Sequence, residues 1–83
     1  NKVVLVHELL HTFGAKDKYD LVTGQPINPT GFANPEQEPL YPQSRAEIMG
    51  GYIPLSPTKS KTPNDLEDTM VSRLTAQEMG WVK

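Results

Sequence analysis

His7-Glu8-Leu9-Leu10-His11-Thr12-Phe13-Gly14-Ala15-Lys16-Asp17 is the stretch that decides how this chain is read. If residues 3–13 are helical, His7 and His11 lie four positions apart on one face, one above the other, and both imidazoles reach a single metal ion. Glu8 lies about 100° round the helix from His7, beside the ligand face and clear of the ion's first shell. That position suits a general base. A hydrolytic zinc keeps one coordination place open for water and needs a nearby carboxylate to accept the water's proton.

Gly14 follows the helix. Glycine adopts positive φ without a Cβ clash, so a helix ending at Phe13 stops there and the chain turns back sharply. Asp17 is six positions after His11 and three after Gly14, and its carboxylate completes a set of three ligands with His7 and His11. Asp20, in the same Lys16-Asp17-Lys18-Tyr19-Asp20 run, is the rival acid.

The order His-Glu-x-x-His-x-x-Gly-x-x-Asp resembles the zinc signature of the metzincin clan of metallopeptidases in its aspartate-ending, snapalysin-like form. The resemblance implies an α+β zincin-type catalytic domain that binds one catalytic Zn2+ and cleaves peptide or protein substrates. An aspartate in place of the commoner third histidine leaves the site less positive, which weakens the ion as a Lewis acid unless outer hydrogen bonds compensate. Metzincins also carry a methionine-containing turn beneath the metal. Ala46-Glu47-Ile48-Met49-Gly50-Gly51-Tyr52 offers one, with Met49 as the apolar floor and two glycines for a tight turn. Some metzincins place a tyrosine two residues after that methionine, where it stabilises an oxyanion. Tyr52 stands three residues after Met49, and Tyr19, just behind Asp17, competes for the role.

The 83 residues bound what this stretch can belong to. A chain of that size buries roughly 60% of its unfolded surface, and six glycines, eight prolines and no cysteine leave a small core without disulfide staples. In the metzincins the active-site helix follows a mixed sheet, so the resemblance implies the C-terminal part of a catalytic domain, completed by an upstream segment or a partner chain. Net charge is −2 and the basic residues are scattered, which points away from nucleic acid. No apolar run approaches the length of a membrane span, and none reads as a signal peptide. Composition is compatible with secretion and with the cytoplasm alike.

Along the chain, residues 1–14 read as the active-site helix, 15–44 as a loop, 45–52 as the methionine turn and 62–83 as C-terminal helices. Val3, Val4, Leu5, Val6, Leu9, Leu10 and Phe13 make the first helix apolar nearly all round, the pattern of a buried helix. Gly24, Pro26, Pro29, Gly31, Pro35, Pro39 and Pro42 forbid regular structure over residues 20–44. Ile27, Phe32, Leu40 and Tyr41 predict an ordered irregular loop. Residues 53–62 read as irregular too. Thr62-Pro63-Asn64-Asp65 predicts a helix from about Pro63 to Ser72 that buries Leu66, Met70, Val71 and Leu74, and Thr75-Ala76-Gln77-Glu78 predicts a second, closed by Gly80.

The expected function is zinc-dependent endopeptidase. One alternative is a non-catalytic interaction domain stabilised by metal, against which the intact Glu8 and the lack of a fourth protein ligand argue. Another is a gluzincin arrangement with Glu67 as third ligand. A non-haem iron site of two histidines and a carboxylate usually has different spacing.

Overall fold

The first helix, α1 (Lys2–Thr12), is held by one apolar stripe. Val3, Val6 and Leu10 follow helical spacing and pack on Ala15, Ile48 and Met49 in the hydrophobic cluster of the computed structural model, which describes residues 2–82. The helix ends as expected. Gly14 has φ +104°, its N–H donates to the His11 carbonyl at 3.1 Å, and the Ala15 N–H donates to the Leu10 carbonyl at 3.2 Å, a Schellman stop. The buried contact of Ala15 with the Leu10 region seals that stop. Burial on all sides is not observed, however: Leu5, Leu9 and Phe13 remain 70%, 51% and 52% exposed. The proline-rich loop bonds instead to Ala46, Pro54 and Ser56, and this outer face of α1 stays uncovered.

Two short sheets position the rest. β1 (Ala46–Glu47) pairs in parallel with β4 (Thr69–Met70), Ala46 opposite Thr69, and the Ile48 N–H extends the ladder to the Met70 carbonyl. β2 (Ile53–Pro54) and β3 (Ser60–Lys61) form an antiparallel hairpin in the segment expected to be irregular. Its turn is closed by the Ser56 hydroxyl, which accepts from the Thr58 and Lys59 amides.

Two glutamines order the proline-rich loop. Gln43 accepts from the Asn34 N–H and donates to the Asn34 and Leu40 carbonyls, while Gln37 donates to the carbonyls of Pro39, Leu40 and Pro42. Prolines lack a donor, so side-chain amides supply what the backbone cannot. Phe32 is buried and meets Tyr41 edge-on at 5.7 Å, as pinning residues should, whereas Ile27 stays exposed.

The helix expected over 63–72 does not form. Asp65 accepts from the Leu66 N–H and opens a 3-10 turn, Leu66–Asp68, after which Thr69 and Met70 are drawn into β4. Short polar side chains that bond to adjacent amides compete with the helix, and the parallel pairing with β1 settles the competition. Val71 and Leu74 are consequently exposed. The last helix, α2 (Arg73–Glu78), starts earlier than its expected cap: Ser72 accepts from the Thr75 N–H, and Thr75 is buried inside the first turn. Gly80 closes it, as the sequence suggests, with the Trp81 N–H donating to the Ala76 carbonyl. Among the described residues no helix is long and apolar enough to cross a membrane.

Candidate metal centre

Three potential ligand atoms converge where α1 meets the returning chain. His7 Nε2 and His11 Nε2 are 3.2 Å apart, and Asp17 Oδ1 lies 3.0 Å from the first and 2.9 Å from the second. Tetrahedral zinc with bonds of about 2.0–2.1 Å requires its ligand atoms about 3.3 Å apart. The donor set therefore fits zinc in chemistry and in spacing.

The imidazole tautomers strengthen that fit. His7 Nδ1 donates to the Ile48 carbonyl at 2.8 Å, and His11 Nδ1 donates to the Ala15 carbonyl at 2.8 Å. A carbonyl can only accept, so each Nδ1 carries a hydrogen, which leaves Nε2 as the ring nitrogen that would bind an ion.

Each of these side chains is placed by backbone features near it. The Gly14 stop turns the chain so that Ala15 can reach His11 and Asp17 can return to the helix face. The Lys18 N–H donates to the Met49 carbonyl at 2.9 Å and fixes the residue after Asp17 to the methionine turn. Met49 is fully buried in the cluster that contains Val3 and Leu10, the α1 residues on either side of His7. Its turn is tight: the Gly50 and Gly51 amides both donate to the Glu47 carbonyl, and a Cβ on Gly50 would strike the Gly31 backbone.

Glu8 stands beside these three side chains. Its Oε1 is 3.9 Å from His7 Nε2, farther than Asp17, and its side chain is 69% exposed. The ligand atoms of His7, Glu8 and His11 lie within 4.8 Å of one another, and Asp17 approaches both imidazoles more closely than Glu8 does. Asp20 is engaged elsewhere, accepting from the Val22 and Thr23 amides. Glu67 is exposed in the 3-10 turn and lies outside this group of ligand atoms.

A cleft of about 270 Å³ opens beside His7, lined by Val3, Tyr19, Gly51, Tyr52 and Pro63 among others. The Tyr19 ring centroid is 6.4 Å from that of His7. The Asp17 charge, then burial, then the Glu8 and Tyr52 charges push the Tyr19 phenol above its ordinary range, so it remains an O–H donor at neutral pH. Tyr19 and Tyr52 thus share one wall and remain equal candidates for an oxyanion donor. A larger, shallower depression of about 550 Å³ over residues 33–37 is lined by none of His7, Glu8, His11 and Asp17.

Two buried charged side chains carry almost no sequence signal. Glu47 is fully buried; its carboxylate accepts from the Met49 and Gly50 amides on one oxygen and from the Ser72 amide and Thr75 hydroxyl on the other. Lys18 is 4% exposed and pairs with Glu78. Burial alone would raise the Glu78 carboxyl, but hydrogen bonds from Lys18 and the Lys16 amide, with both lysine charges, hold it below its ordinary value. A polar residue inside the apolar run at Ala46–Met49 was the one available hint for Glu47; nothing separates Lys18 from Lys16. No protein-family model, curated protein or solved structure matches the chain.

Proposed function

We propose that this chain is the metal-binding part of a metzincin-like zinc endopeptidase. The reading rests on one observation: His7 Nε2, His11 Nε2 and Asp17 Oδ1 meet within 2.9–3.2 Å, with both Nδ1 atoms bonded to backbone carbonyls on the far side of the rings. His7, His11 and Asp17 would hold the ion, which when bound polarises the scissile carbonyl and acidifies a water molecule. Glu8 would accept a proton from the attacking water and pass it to the leaving amine. A phenol from Tyr19 or Tyr52 donates to the developing oxyanion across the cleft. The carbonyls of Ile48 and Ala15 keep the imidazoles oriented throughout.

The same reading accounts for the outer face of α1. Leu5, Leu9 and Phe13 present apolar surface to solvent, which an upstream segment or partner chain would cover while completing the substrate cleft.

Glu8→Gln tests the function directly. The variant should lose peptide hydrolysis by at least about 100-fold while retaining about one zinc per chain, because the base is removed and all three ligands remain. Unchanged hydrolysis would sink the assignment of Glu8, and full zinc occupancy with no hydrolysis by the unsubstituted protein would favour a metal-stabilised interaction domain.

A further inference from the structure

Asp17 lies between two residues tied to one anchor. Glu78 Oε1 accepts from the Lys16 N–H at 3.0 Å and from Lys18 Nζ at 2.5 Å, and Lys18 Nζ also donates to the Lys16 carbonyl at 2.9 Å. These contacts close a small ring through Lys16, Lys18 and Glu78, with the Asp17 backbone held across it. The side chains of Lys18 and Glu78 are 4% and 17% exposed, so water screens the pair far less than it would at the surface. Beyond the ring, the Lys18 carbonyl accepts from the Ile27 amide. At the other end of the loop, the Gly14 backbone packs directly on the Glu78 carbonyl.

A metal ligand on a loop must be held to within about half an ångström for a site to keep its affinity. His7 and His11 obtain that rigidity from α1. Asp17 has no helix beneath it, and the carboxylate of Glu78 supplies the missing constraint from α2. It also compensates the Lys18 ammonium, one residue from Asp17, whose unpaired charge would oppose a divalent cation. We infer that Glu78 is a positioning residue for the metal, acting through Asp17. This inference rests on the metal reading above, with Asp17 as third ligand.

The test is a double-mutant cycle of Asp17→Ala and Glu78→Gln, read by zinc affinity against a competing chelator and by the visible absorption of the Co2+-loaded protein. Glu78→Gln should lower zinc affinity about tenfold and shift the Co2+ spectrum toward that of the Asp17→Ala protein. Placed on top of Asp17→Ala, it should change affinity by less than about twofold, because the ligand it positions is already gone. An equal fall in both backgrounds, or none in the parent protein, overturns the inference. Should Glu78→Gln fail to fold by circular dichroism, Glu78→Asp retains the charge opposite Lys18 while withdrawing the anchoring oxygen. The same pattern of losses is expected from it, and parent-level affinity overturns the inference. If the parent protein and Asp17→Ala bind zinc equally, the metal reading falls and takes this inference with it; a loss confined to Asp17→Ala overturns the role of Glu78 alone.

Discussion

Asp17 faces two imidazoles, whereas Asp20 directs one carboxylate oxygen at the amides of Val22 and Thr23, so the two acids should respond differently to substitution. Asp17→Ala should strip zinc from the protein during dialysis against a mild chelator. Asp20→Ala should leave metal content unchanged and loosen only its exposed turn, at a cost of about 1 kcal/mol. Greater metal loss from the Asp20 variant would transfer the ligand role to Asp20. The distinction was legible before the fold was known, because the glycine stop and the six-residue offset from His11 are properties of local backbone geometry. What holds Asp17 was not legible. Lys16 and Lys18 have the same side chain and flank the same residue, yet one is exposed and the other buried against Glu78, sixty residues later in the chain. Only the tertiary approach of α2 separates them.

Among the elements, α1 and its Schellman stop follow from side-chain spacing and one glycine, signals that act within a few residues. The C-terminal region follows a longer-range rule. Its capping residues were visible as a class, but Asp65 and Ser72 cap where Thr62 and Thr75 were expected to, because residues 69–70 are claimed by pairing with Ala46–Glu47. Glu47 joins these elements: it binds the methionine turn with one oxygen and the start of α2 with the other. Glu47→Gln keeps the volume but turns an NH2 group toward buried donors, leaving at least one of them unsatisfied. A loss of roughly 2 kcal/mol is expected, visible as a melting temperature lower by roughly 10 °C. Thermal unfolding followed by circular dichroism checks this. A melting temperature equal to that of the parent would mean that the four contacts to Glu47 are not what couples β1 to α2.

At the scale of the whole molecule, shape and surface give different answers. The radius of gyration, 11.8 Å, is about what a compact chain of this length should have. Accessible surface is 5339 Å², slightly more than the roughly 4,900 Å² expected for a monomer of 9.2 kDa. The excess accompanies exposed apolar side chains on α1 and at Leu21 and Val22, while the core among the described residues comprises nine buried hydrophobic residues, three of them alanines. A core that small gives little reserve, so stability should depend on whatever binds the convergent ligands. Zinc held there would crosslink α1 to the loop carrying Asp17, and at a free concentration about 100 times its dissociation constant it should stabilise the folded state by about 2.7 kcal/mol. For a chain of this size that is a rise in melting temperature of roughly 10–20 °C. The rise should persist in Glu8→Gln, which retains every ligand, and largely disappear in Asp17→Ala. It should also shrink on acidification, since protons compete with the metal for the imidazoles. A folded protein whose melting temperature is the same in zinc and in chelator would show that the three converging side chains hold no ion, and the peptidase reading would lose its foundation.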